Sequence, residues 1–131
     1  MRLTLLWGLA VGVAIACVDL LALQFLRSIT DEDLAAAITL VDVAIGLLLT
    51  GWVGYRVARA LGEMRPGLEA AVLAGIVAGL AAAATSYLLP LEEPSTANAV
   101  YLVAQNILFA AAAGSLGAWM ATARRSVPPP R

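Results

Sequence analysis

The chain has 131 residues, of which 62% are apolar and 13% charged, and its formal net charge is −1. Soluble domains are about 45–50% apolar, and one of this size needs more polar residues than this to cover its surface. The composition therefore argues against a soluble fold and predicts an all-α chain whose solvent is mostly lipid.

Several residue types that enzymes and metal sites use are missing. The sequence has no histidine, its eight basic residues are all arginine, and Cys17 is its single cysteine. These absences exclude histidine-ligated metals and haem, catalytic Ser-His or Cys-His pairs, and lysine Schiff bases. No phosphate-binding glycine motif is present, and the net charge gives no reason to expect nucleic acid. We therefore predict a non-enzymatic protein without cofactor or metal.

Four apolar segments are long enough to span a bilayer, whose core of about 30 Å needs about 20 helical residues. The predicted helices cover residues 3–26, 34–60, 68–89 and 97–121. Acidic residues at 31–33 precede the second helix, where the helix dipole favours them, and Pro90 stops the third. Residues 1–125 form one transmembrane domain, and the proline-rich tail 126–131 is predicted to be disordered.

The first apolar segment also has features of a signal peptide. Arg2 precedes an apolar run that leads to Cys17 in a sequence similar to a lipoprotein cleavage site. The run continues to Leu26, whereas the apolar region of a cleaved signal has about 7–15 residues. We therefore expect an uncleaved first spanning helix.

The arginines indicate the orientation, since positive residues accumulate on the cytoplasmic side. With a cytoplasmic N-terminus, Arg27 alone lies outside. The seven arginines on the inside are Arg2, Arg56, Arg59, Arg65, Arg124, Arg125 and Arg131. Four of the six tryptophan and tyrosine residues also fall near the inner interface, Trp7, Trp52, Tyr55 and Trp119, while Tyr87 and Tyr101 fall near the outer one. Both termini are therefore predicted to be cytoplasmic.

Glycine patterns suggest an internal repeat. Gly8 and Gly12 align with Gly75 and Gly79 when helices one and three are offset by 67 residues, and helices two and four align in a similar way at an offset of 63. Two tandem helical hairpins are the simplest interpretation, although any two helices rich in alanine and glycine can be aligned. Small residues of this kind permit close helix packing in lipid.

Asp19 and Asp42 are the most informative residues, because a carboxylate inside a bilayer is costly and usually faces a partner or a cavity. At 1.5 Å per residue both lie about 10–12 Å inside the outer boundary, so a short hairpin brings them to one level. Four more polar residues fall at comparable depth: Thr39, Ser86, Gln105 and Asn106. The six residues are a candidate intramembrane polar site.

Three roles are open for the two carboxylates. They can bind the helices together through hydrogen bonds, form a proton or cation site, or bind a partner subunit. Two neighbouring carboxylates in low dielectric cannot both stay charged cheaply, so one is expected to hold a proton or to share a cation.

Arginines near the inner boundary are candidate contacts for anionic lipid head groups. The alternative is that they serve only as the topology signal. The candidates are Arg56, Arg59, Arg65, Arg124 and Arg125.

The segment Gly51–Arg59, followed by Gly67 and Ala74–Gly79, resembles small uncharacterised four-helix proteins of the bacterial inner membrane. The resemblance covers residues 51–79 and implies a multi-pass protein of that membrane, without a particular activity. Small multidrug carriers also have four short helices and an intramembrane carboxylate. Theirs is a glutamate on helix one, where this chain has Asp19.

Two functions follow as expectations. The first is an accessory or assembly subunit that acts through helix packing, with the lipid bilayer and other membrane subunits as its partners. The alternative is a small proton- or cation-linked carrier or channel, working as a homo-oligomer with Asp19 and Asp42 as its site.

Overall fold

The computed structural model describes residues 1–89 and 95–123. They form four α-helices: α1 (Arg2–Leu26), α2 (Glu32–Leu61), α3 (Met64–Leu88) and α4 (Thr96–Ala123). Each helix is long and apolar enough to cross a membrane. The prediction of an all-α chain with four apolar helices is therefore confirmed. The predicted proline-rich tail, with Arg124 and Arg125 before it, lies outside the described residues.

Polar residues begin α2 and α4, and a glycine ends α2. The Asp31 carboxylate accepts hydrogen bonds from the backbone N–H groups of Asp33 and Leu34, at 3.0 and 3.1 Å. Ser95 accepts one from the N–H of Asn98 in the same way. Gly62 follows α2 with φ of 79°, a left-handed conformation that glycine adopts without steric cost. Only Gly62 and Glu63 separate α2 from α3, so these helices form a tight hairpin.

Helix α3 begins at Met64, four residues before the predicted start at residue 68. Pro66 fits there because a helix makes no internal hydrogen bond with the N–H groups of its first turn. An ion pair between Arg65 and Glu69, 2.8 Å long and one turn apart, supports the same turn. Gly67 is therefore a buried helical residue rather than a boundary.

The helices pack around a central pair. Both α1 and α4 contact α2 and α3, and α2 contacts α3, whereas α1 and α4 do not touch within the described residues. Gly8 lies against Ala70 and Gly12 against Ala74, so α1 runs parallel to α3. The short connections make consecutive helices antiparallel. The four helices therefore surround an axis across which α1 and α4 face each other.

Close packing is concentrated in one half of the bundle, which we call the closed half. Its buried residues lie within four ranges: 4–15 in α1, 50–58 in α2, 67–79 in α3 and 110–121 in α4. A Cβ atom on Gly54 would lie 2.5 Å from the carbonyl oxygen of Gly114, and one on Gly67 would collide with the carbonyl oxygen of Gly54. Glycine is thus required where α2, α3 and α4 converge.

We expect Gly54→Ala to lower the free energy of unfolding by about 1–3 kcal/mol, because the added methyl group meets backbone that can move only if α2 and α4 separate. Gly46→Ala is the matched control, since a Cβ there lies 4.0 Å from its nearest neighbour, Ile15. Reversible unfolding in mixed detergent measures both variants. Equal stability of the two would contradict the close contact between α2 and α4.

Candidate functional site

A cavity of about 230 Å³ lies in the other half of the bundle, which we call the open half. All four helices contribute to its lining. Its polar lining residues are Asp19, Asp42, Thr50, Gln105 and Asn106, and the rest of the lining is apolar. A space of this size with polar side chains in its lining has room for several water molecules or for a small cation with part of its hydration shell.

Small residues form part of the cavity wall: Gly46 on α2, Gly75 and Ala82 on α3 and Ala110 on α4. Space is open beside Gly46, whereas a Cβ atom on Gly75 would collide with Ala110 of α4. The helices α1 and α4 both contribute to the lining, although no Cα atom of α1 lies within 8 Å of one of α4 in the described residues. The cavity therefore occupies the space that α1 and α4 leave between them.

The hairpin of α1 and α2 brings Asp19 and Asp42 together. Ile15 lies nearest to Gly46, and because the helices are antiparallel, the residue four positions after Ile15 meets the residue four positions before Gly46. Asp19 and Asp42 are therefore neighbours across the contact between α1 and α2, and both line the cavity. The sequence predicted that Asp19 and Asp42 lie at the same depth, because each is a similar distance from the short connection between the first two helices.

One oxygen of the Asp42 carboxyl group lacks a hydrogen bond in the described residues. This atom, Oδ1, is buried. A buried carboxylate oxygen without a donor is costly in a low-dielectric environment. Since the neighbouring group is the acidic Asp19, a proton or a cation between the two would satisfy both carboxyl groups.

The six residues of the predicted polar site divide into two groups. Asp19, Asp42, Gln105 and Asn106 line the cavity, whereas Thr39 and Ser86 do not. The Thr39 hydroxyl donates to the Ala35 carbonyl oxygen at 3.0 Å.

Local hydrogen bonds also engage other polar side chains near the cavity. The Ser86 hydroxyl donates to the Ala83 carbonyl oxygen at 2.7 Å, and the Asn106 amide donates to that of Leu102 at 3.0 Å. These side chains thus bond to their own helices, and none of these bonds joins one helix to another.

Thr50 belongs to the cavity although it was not among the predicted site residues. Its hydroxyl donates to the carbonyl oxygen of Gly46 at 2.8 Å, and the side chain is buried. Asp42, Gly46 and Thr50 are spaced by four residues, which places them on one face of α2. This spacing was the available signal.

The predicted lipid contacts differ in their surroundings. The Arg56 guanidinium lies 5.9 Å from the centre of the Trp52 ring, and that of Arg59 lies 5.8 Å from the Tyr55 ring. Arg65 instead pairs with Glu69.

Comparison with known proteins adds no relative. No protein-family model matches the chain, and no curated protein or solved structure matches it either. The resemblance of residues 51–79 to small bacterial membrane proteins therefore stays a prediction.

We expect cysteines at positions 19 and 42 to be joined rapidly by a short bifunctional thiol reagent, in a Cys17→Ala background. The matched control pairs position 19 with position 41, because Val41 is exposed on another face of α2. Gel mobility after cleavage between the two helices measures the cross-link. Equal reaction of the two pairs would contradict the contact between Asp19 and Asp42.

Proposed function

We propose that this chain is an integral protein of the bacterial inner membrane, with four spans and both termini in the cytoplasm. Large apolar side chains exposed on α2 and α4 support membrane insertion. Leu40, Leu48 and Leu108 are 71%, 73% and 68% exposed. Soluble monomers rarely expose extensive apolar surface. The distribution of the arginines supports the orientation.

Within the membrane, the pair of Asp19 and Asp42 binds a proton or a small cation, and the protein acts as a small carrier working as a homo-oligomer. One observation carries this proposal: both carboxyl groups line one cavity, and Asp42 Oδ1 is buried without a hydrogen-bond partner in the part of the chain that the structure describes. Intramembrane carboxylates that face a cavity are typical of proton and ion pathways.

The closed half favours a carrier over an open channel. Thr50, Gly75 and Ala110 belong both to the cavity lining and to the buried part of the closed half. Beyond them the Gly54 and Gly114 backbones are in contact. A cation at the carboxylates can therefore continue toward the predicted cytoplasmic side only if the helices separate there, or if a second copy provides the path.

We expect liposomes that contain the purified protein to dissipate a proton gradient faster than protein-free liposomes do. A trapped pH-sensitive dye follows the pH inside the liposomes under an imposed membrane potential. Asp19→Asn with Asp42→Asn should return the rate to background, because the amides keep the shape but cannot exchange protons or attract a cation. Asp33→Asn is the control, since Asp33 is exposed in the first turn of α2. Sodium-gradient liposomes test the cation in the same way.

Two results would end the carrier proposal. One is background flux of both protons and sodium for the wild-type protein, and the other is wild-type flux for the double variant.

The second candidate function is an accessory subunit that docks through α1. This helix contacts α2 and α3 and leaves Ala10, Ala14 and Cys17 exposed. Small residues at this spacing allow another helix to approach closely in lipid. An exposed small-residue surface of this kind favours a helix partner.

The native Cys17 reports on that surface. We expect a short thiol reagent to cross-link α1 in intact membranes, and Ala14→Leu to reduce the yield several-fold because leucine holds the partner helix away. A product of twice the chain mass supports the homo-oligomeric carrier. A product with one different chain in a fixed ratio supports the accessory subunit. Absence of any product would contradict docking through this face.

A further inference from the structure

The last turns of α2 carry two pairs of an arginine and an aromatic residue, which we call the Arg–aromatic cluster. It consists of Trp52, Tyr55, Arg56 and Arg59. Each arginine follows its ring by four residues, so each guanidinium lies over the ring one helical turn before it. The two pairs are neighbours on the helix.

The cluster holds its cations in place. The guanidinium of Arg59 donates a hydrogen bond to the Tyr55 hydroxyl, 2.7 Å long. The Trp52 ring packs edge to face against Trp7 of α1, with ring centres 5.2 Å apart. Attraction to the aromatic faces orients both guanidinium groups, and orientation before binding lowers the entropy that a ligand must offset. Both arginine side chains remain exposed.

We propose that the Arg–aromatic cluster binds the phosphate of an anionic phospholipid from the cytoplasmic leaflet. The proposal rests on the membrane topology given above but not on the carboxylate pair. A guanidinium matches the geometry of a phosphate with two parallel hydrogen bonds. Tryptophan and tyrosine rings occupy the head-group level of membranes, and the cytoplasmic leaflet is the anionic one.

The neighbouring arginine provides a contrast. Arg65 lies just beyond the end of α2, and its guanidinium is 2.8 Å from the Glu69 carboxylate. An anionic lipid would therefore meet a charge that is already neutralised. Arg56 and Arg59 belong to the proposed site because each lies over an aromatic ring, whereas Arg65 pairs with Glu69.

The test uses the full chain, purified in detergent and titrated with phosphatidylglycerol or phosphatidylcholine. Native mass spectrometry counts the lipids that stay bound. We expect preferential retention of phosphatidylglycerol, with a loss of apparent affinity of about fivefold for each arginine in Arg56→Gln and Arg59→Gln. Arg65→Gln should stay within twofold of the wild type. Trp52→Leu should weaken binding while leaving the charge unchanged, which separates the role of the ring from that of net charge.

Three results would overturn the proposal. The first is equal retention of the two lipids, and the second is wild-type affinity for phosphatidylglycerol in both Arg56→Gln and Arg59→Gln. The third is binding of soluble glycerol phosphate as tight as that of phosphatidylglycerol. The last would indicate a site for free phosphate. Because both arginines are exposed, the size-exclusion profiles of Arg56→Gln and Arg59→Gln should match that of the wild type. Arg56→Lys, which keeps the charge but loses the planar guanidinium, provides a second variant. Alkaline extraction of the membranes tests insertion separately, so failure of the topology is distinguishable from failure of the lipid site.

Discussion

The close approach of helix backbones at Gly54 and Gly114 is the contact on which the rest of the structure depends. Where side chains are this small, α2, α3 and α4 come together without space between them, and the closed half becomes a compact unit. Packing of this kind is the main source of helix association in lipid, where burial of apolar surface contributes little. The cavity lies beside this unit, in the open half, where α1 and α4 both contribute to its lining.

The cavity explains how two carboxylates can be accommodated among apolar helices. Asp19 and Asp42 share the cavity with Gln105 and Asn106, so polar side chains and open space lie beside them as well as apolar side chains. That space can hold water, a proton or a cation, each of which lowers the cost of placing acidic groups in low dielectric. The polar site and the Arg–aromatic cluster lie in different halves of the bundle, so their roles can be separated by mutation.

Much of this arrangement was predictable from the sequence. Hydropathy and length determined four helices, and a short hairpin determined the common level of Asp19 and Asp42. The start of α3 was predicted too late because proline and glycine at 66 and 67 resemble helix breakers, whereas the first turn tolerates the proline and the packing requires the glycine. Depth along a helix did not determine which face a residue occupies. Ser86 thus has a depth comparable to that of the carboxylates but lies outside the cavity lining, because helix rotation depends on the glycine contacts between helices.

The central proposal is that the pair of Asp19 and Asp42 holds a proton or a small cation, so that the two carboxyl groups share one proton when no small cation is available. Infrared spectroscopy of the protein in lipid, at neutral pH and with a bulky tetraalkylammonium ion as the only added cation, tests it most directly. We predict the carbonyl stretching band of one protonated carboxyl group, absent from Asp19→Asn with Asp42→Asn and retained in Asp33→Asn. A spectrum without this band, unchanged in the double variant, would contradict the claim.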